Sequence, residues 1–578
     1  MKRLLDRRLS TVCWFAGLLL PLTSGCGGSL TRISPSVALR PQGPPTIERV
    51  QDLGGLPLPP SGPLSTEHSD QVFTPGEWLA LQGRNLSPES RIVIGGRTAP
   101  VLGVLDGAGL LLRVPRGVSP GPQKLQIDNG VGTAQLQLPM AIYAFGGDVH
   151  GNALRIRQLG PERTEPQEFA DKQLDIPFLK ARFQVLSPDG SILYALQEPT
   201  SDEAPEQPDA ATAPPPSGTV VCDLRVVHLG GKKGPRQVAE IPLALIGPPT
   251  GLAMGPFGQL VVLQKRQLTI FDTSNPVQPQ PLIQLPLAAP EQTRELVDAE
   301  FFADGRTLAV LEAYGNQVHL IDLGVPSQPR LLGALSLSDS YEQPFSIDLA
   351  PGQDGQSLWV LQGPNLRLAG KRLVDGLSGA WQDAKALELK SAANMVGQTA
   401  VGSAMLPKES LARLQLLRLT DGQLQLAKTI PLPPEIFPFF VQPDYQGSLY
   451  VSGINRKNQF TDLEASLDGI KRLLGAVKDT AQLGLVLKVG AADGLVTTAF
   501  QGVALYYDLA LLPTGQLLTS TVRLGAGYIP PRVTLDWGLE IPGQSFSKLR
   551  EVANSGFKIS TAVQRLLPPY RYERIGVQ

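Results

Sequence analysis

"QLTIFDTSNPVQPQPLIQLPL" (267–287) and "QVHLIDLGVPSQPRLLGALSL" (317–337) state one pattern twice, fifty residues apart. Gln267 answers to Gln317, Asp272 to Asp322, Pro276 to Pro326, and the leucines at 282, 285 and 287 to those at 332, 335 and 337. A second echo runs through the same half of the chain: apolar strand, tight turn, apolar strand. It is seen in "FQVLSPDGSILYAL", "LAMGPFGQLVVL", "AEFFADGRTLAVL", "IDLAPGQDGQSLWVL", "PFFVQPDYQGSLYV" and "LALLPTGQLLTS". The turn glycines are Gly190, Gly258, Gly305, Gly355, Gly447 and Gly515, spaced 68, 47, 50, 92 and 68 residues apart. Reading 92 as two units of 46 places a degenerate unit near residue 401, in "MVGQTAVGSAML". The first 68 is lengthened by an acidic, Pro-rich loop (200–218), the last by a helical pattern (460–479). The period is then 46–50 residues and the count seven. A unit of that length with about four short strands is a β-propeller blade, which buries both faces only by stacking on its neighbours. The fold class expected over 142–578 is therefore all-β.

The two long repeats resemble LVIVD-type propeller repeats, through "hydrophobic-hydrophobic-D-x-x-x-P-x-x-P". That resemblance covers about a hundred residues, and the other units read as generic, YVTN-like blades. In the inserted pattern "FTDLEASLDGIKRLLGAVKD", Leu463, Leu467, Ile470, Leu474 and Val477 recur at helical spacing behind a Thr461–Glu464 capping box. Such a helix either covers the propeller flank or offers its apolar face to a partner.

Ahead of the propeller, residues 45–140 carry short strands divided by Gly, Pro, Asn and Ser, the patterning of a β-sandwich. The order "PPTI", "GEWLALQGRNL", "VIGGRTAP", "LLLRVPRGVSPGPQKLQIDNG" resembles the TIG/IPT family of Ig-like domains. That resemblance implies a spacer or interaction module and carries no catalytic residue.

The N-terminus reads as an address. Lys2, Arg3, Arg7 and Arg8 precede a short apolar run, "TVCWFAGLLLPL", too short to span a bilayer. It ends in Leu22-Thr23-Ser24-Gly25-Cys26, which resembles the bacterial lipobox. The resemblance implies cleavage of residues 1–25, acylation of Cys26, and a flexible tether over 26–44. Gly27 after the cysteine implies the outer membrane. An ordinary secretory signal with an incidental cysteine is the other reading of these residues. With Cys13 removed and Cys26 acylated, Cys222 alone would keep a thiol in the processed chain, so no internal disulfide is possible there. In "TVVCDLRVV" Cys222 reads as a small core residue.

Net charge is −1, and about −4 once 1–25 are removed, so nothing draws the protein to nucleic acid. His68, His150, His228 and His319 have no second ligand at metal spacing. No nucleophile elbow, phosphate-binding loop or dinucleotide fingerprint is present, so no cofactor is implied. Asp272 and Asp322 read as strand-end caps, and "EIFPFF" (435–440) as core. The expected function is a non-catalytic binding or scaffolding lipoprotein of the cell envelope, with lipid at Cys26 and protein partners on the propeller faces. Two alternatives are a propeller enzyme of hydrolase or lactonase type and a surface adhesin binding polysaccharide. Three or more Asp, Glu, Asn or His side chains converging at the channel mouth would favour the enzyme, and an apolar or unremarkable channel the scaffold.

Overall fold

The computed structural model describes residues 41–54, 70–105, 109–147, 153–160, 176–177, 181–197, 219–247, 249–287, 295–313, 316–337, 345–363, 412–434, 436–455, 484–502, 505–525, 532–540 and 576–578. The expected signal, Cys26, most of the tether, the acidic loop and the 460–479 helix lie outside them. Among the described residues all regular structure is β.

The first eight strands are β1 (Thr46–Asp52), β2 (Trp78–Arg84), β3 (Arg91–Ile94), β4 (Arg97–Thr98), β5 (Val101–Leu105), β6 (Gly109–Arg113), β7 (Gly121–Asp128) and β8 (Thr133–Met140). They form two antiparallel sheets ordered β1-β2-β6-β5 and β4-β3-β7-β8. Lettered in chain order these read A-B-E-D and C′-C-F-G, the strand arrangement of immunoglobulin sandwiches. Leu79, Leu81, Ile92, Ile94, Leu110, Leu112, Leu125 and Ile127 alternate inward from both sheets and make one core.

After Ala141 the chain enters a ring of seven sheets. Blade 2 is β12 (Ala181–Leu186), β13 (Ile192–Gln197), β14 (Thr219–His228) and β15 (Arg236–Ile246), paired in that order. Blade 3 follows with β16 (Pro249–Met254) to β19 (Gln280–Pro286), and blade 4 with β20 (Leu296–Phe301) to β23 (Arg330–Ser336). Blade 5 runs from β24 (Phe345–Pro351) to β27 (Gln423–Pro431) and blade 6 from β28 (Ile436–Pro443) to β31 (Val496–Gly502). Blade 7 has three described strands, β32 (Leu505–Leu511), β33 (Leu517–Gly525) and β34 (Arg532–Glu540). Blade 1 is composite: β9 (Ile142–Gly147), β10 (Ala153–Leu159) and β11 (Ile176–Pro177) pair with β35 (Gly576–Val577), which lies on the inner side. The ring is a seven-bladed propeller closed by strands from both ends of the domain.

The count of seven agrees with the repeat reading, but one member was misplaced. The second and third strands of blade 5, β25 (Ser357–Gly363) and β26 (Arg413–Thr420), pair directly, and the unit expected near 401 falls between them, outside the described residues. The seventh unit is the composite blade 1.

Burial follows position within a blade. The second strands of blades 2, 3, 4 and 5 are buried at every residue, because a neighbouring blade covers each face. The outermost strands β19 and β23 are largely exposed. All six turn glycines have positive φ, from 64° to 92°, as tight turns between strands require. Turn side chains bond locally too: Asp304 Oδ1 accepts the N–H groups of Arg306 and Thr307.

The sandwich is fastened to the propeller at several points. Arg113 pairs with Asp189 of the β12–β13 turn at 2.7 Å and stacks on Trp78. Gly76 (φ +86°) lies so close to blade 2 that a Cβ there would sit 2.7 Å from Ser191 N, which reserves the position for glycine. Glu77 Oε1 accepts the N–H of Gly231 in the β14–β15 turn. Gln578, just past the closing strand, donates from Nε2 to Pro75 O of the sandwich and to Gly190 O of blade 2. Its Oε1 accepts Tyr143 N of blade 1.

Candidate functional site

The inner strands of blades 2 to 7 share a defect. Each pairs with its neighbour through a register shift: between Ala181 and Phe183, Pro249 and Gly251, Leu296 and Asp298, Ser346 and Asp348, Pro438 and Phe440, and Tyr506 and Asp508. A bulge re-aims side chains and frees a main-chain group from the ladder. The residue just after it is Phe183, Gly251, Asp298, Asp348, Phe440 or Asp508, always seven positions before the turn glycine. Three blades therefore present an aspartate at one repeat-related place beside the axis.

What these aspartates do is visible in two of them. Asp298 Oδ2 accepts Leu349 N of blade 5 at 2.9 Å, and Asp348 Oδ2 accepts Val441 N of blade 6 at 2.8 Å. Each acceptor reaches the residue following the bulge position in the next blade, so the acid ties one inner strand to the next. Asp508 Oδ1 accepts the N–H of Leu509, its own neighbour. All three aspartates are buried, at 0–3 % exposure. Burial without such donors would be costly for a carboxylate.

A cavity of about 240 Å³ lies among these strands. Its walls include Glu300, Asp348, Phe440, Gln442 and Asp508, from blades 4, 5, 6 and 7. The three carboxylates that line it meet the condition under which an enzyme reading gains ground. Among the described residues no three His, Cys, Asp or Glu side chains are arranged to hold a metal ion.

The sandwich leans over the turn-bearing face of the ring. Besides its bonds to blade 2, Arg97 places its guanidinium 5.8 Å from the ring of Tyr445 in the β28–β29 turn of blade 6. Blades 2 and 6 flank blades 1 and 7, so the sandwich spans that side of the face.

The residues singled out in the sequence are scattered. Cys26, His68 and His150 lie outside the described residues. Cys222 is buried in the core of blade 2 and is in no disulfide among the described residues. His228 is buried at the end of β14. His319, on β22 (Gln317–Asp322), bonds through Nε2 to Glu312 Oε2 at 2.9 Å. Asp272 and Asp322 cap strand ends by accepting Ser274 N and Gly324 N. The Gly324 N–H, with Arg330, holds the Asp322 carboxyl below its ordinary value. In 435–440, Ile436 and Phe437 are core while Phe440 faces the cavity. Among the described residues, none of these lies with another in a site. The channel acids were not singled out from sequence, although an Asp seven residues before a turn glycine, in three units of six, was there to be read.

No family model matches the chain, and no curated protein matches it. Solved structures resemble it in fold. The Pseudomonas aeruginosa periplasmic gluconolactonase PpgL is 11 % identical with a TM-score of 0.40, over 70 % of this chain and 99 % of that one. A Lactobacillus plantarum protein is 11 % identical with a TM-score of 0.42, over 70 % and 96 %. The Cps50 (Swd1) β-propeller domain of Myceliophteria thermophila is 10 % identical with a TM-score of 0.37, over 65 % and 92 %. Likeness of this degree transfers no residue or substrate, and the propeller assignment rests on the strand order itself.

Proposed function

We propose that this protein is a non-catalytic binding or scaffolding module of the bacterial cell envelope, exported and held by lipid on Cys26, with a TIG-type sandwich in front of its propeller. The observation that supports it best is the use of the inner-strand acids. Asp298 and Asp348 accept main-chain N–H groups across blade boundaries, a structural task repeated at equivalent positions. The sandwich, bonded to blades 1 and 2 through Gln578, Glu77 and Arg113, adds a second surface on a stiff support. Partners then bind the propeller faces or the exposed sandwich strands.

Affinity capture of the tagged chain from detergent-solubilised envelopes, with Cys26→Ala as the anchoring control, tests this reading. Recovery of the same few envelope proteins with the lipidated form only is the expected result. The second reading is an enzyme of hydrolase or lactonase type, favoured by the meeting of Glu300, Asp348 and Asp508 around one cavity. Hydrolysis of lactones by the native chain, abolished in Glu300→Gln, would replace the first reading with the second.

A further inference from the structure

Glu77 immediately precedes β2 and is 0 % exposed, yet it lies in the joint between two domains. Its Oε2 accepts Thr74 N at 2.7 Å within the sandwich, and its Oε1 accepts Gly231 N at 2.6 Å from the propeller. The fit is close: a Cβ on Gly230 would lie 2.5 Å from both Glu77 Oε1 and Thr74 Oγ1. Thr74 Oγ1 is buried without a hydrogen-bond partner among the described residues. The charged groups that act on Glu77 are both acidic, Asp52 at the end of β1 and Asp70 on the following segment, and Tyr143 faces it from β9. Asp52 is itself buried and accepts Gly54 N and Asp70 N.

We propose that Glu77 is a proton-operated latch, which holds the sandwich on the propeller while neutral and loosens the joint when it ionises. An anion at this place sits in a dry joint beside two other carboxylates, and opening the joint lets it hydrate. Burial, then Asp52, pushes the Glu77 carboxyl well above its ordinary range, and the two N–H bonds offset this only in part. The docked state thus binds the proton more tightly than the open one. Docking is strongest on the acid side and weakens as pH rises through the raised value. A counterweight exists at low pH. Burial raises the Asp189 carboxyl, but Arg113 and the bonds from Ser187 and Ser191 outweigh it and hold the group below its usual value. The Arg113–Asp189 pair is therefore lost only in strong acid, which leaves a window of firm docking at mildly acidic pH.

Hydrogen exchange of the full chain between pH 5.5 and 8.5, corrected for chemical exchange rates, tests the latch. Peptides spanning Gly231 and Thr74–Glu77 should lose protection by tenfold or more towards the alkaline end, while β21 (Thr307–Glu312) in blade 4 stays constant. Glu77→Gln should flatten that dependence. Asp70→Asn, which keeps the acceptor for Val72 N, should give a smaller loss that levels off at lower pH. Protection at Gly231 that does not change with pH in the native chain, or changes equally in Glu77→Gln, overturns the proposal. Should Glu77→Gln not fold, an Asp70→Asn profile identical to the native one overturns it.

Discussion

His319 and Glu312 form a buried pair whose meaning comes from its neighbours. The repeat-equivalent residues of blade 3 are Gln264 and Thr269, where Gln264 Nε2 donates to Thr269 Oγ1 at 2.8 Å. Blade 5 has Gln362 at the same place, accepting from Arg413 and donating to Ser346. One structural position, the end of a second strand against the third, is thus filled by three polar solutions, and the imidazole is one of them. Replacing one partner strands the other in the core, at a cost of roughly 3–5 kcal/mol if Glu312 stays charged. We expect His319→Thr alone to lower the thermal midpoint clearly, and the double change Glu312→Gln, His319→Thr to restore most of the loss. Calorimetry of the three proteins checks this, and a double variant no better than the single one refutes the equivalence. The sequence showed that His319 lay in a strand and had no second ligand at metal spacing. It could not show Glu312 as the partner, because strand pairing brings together residues seven positions apart across a turn.

Individual strands were mostly legible. The turn glycines marked six hairpins, and each takes the positive φ that its place demands. The second strands of the blades read as continuous apolar runs because they are covered on both sides. The inner strands were harder, since a bulge shifts the alternation midway and hides a channel-facing acid inside a run that looks like core. For Asp348 the consequence is measurable. Asp348→Ala leaves Val441 N without that acceptor, at a cost of about 1–3 kcal/mol. Exchange at the Val441 amide should accelerate by roughly 5- to 150-fold, while amides of blade 3 stay unchanged. Equal protection in both proteins would show that the inter-blade bond contributes nothing.

At the scale of the whole molecule, ring closure escaped the sequence almost entirely. A two-residue strand, Gly576–Val577, carries no periodicity, and the 92-residue gap between Gly355 and Gly447 offered a more regular explanation for a seventh unit. The pairing of Gly576 with Phe145 and Val577 with Ala144 makes these residues the clasp of the ring. Removing 576–578 exposes the inner edge of β9 as an unpaired strand. We expect that truncation to enlarge the radius seen by small-angle scattering and to promote association, whereas Gln578→Ala keeps the strand pairing of the ring and loses only the side-chain bonds to Pro75, Gly190 and Tyr143. A truncated chain with native dimensions and melting behaviour would contradict this.

The same clasp imposes an order of events on a newly made chain. Tyr143 and Gln578 are 435 residues apart, so their contact is among the most non-local in the protein. The sandwich and blades 2 to 6 draw on contiguous stretches and can assemble as each emerges, but blade 1 must wait with its inner edge open until the final strand arrives. That waiting interval is when the molecule is most exposed to adhesion with others of its kind. A helper that shields β9 until β35 has paired would act then and be dispensable afterwards.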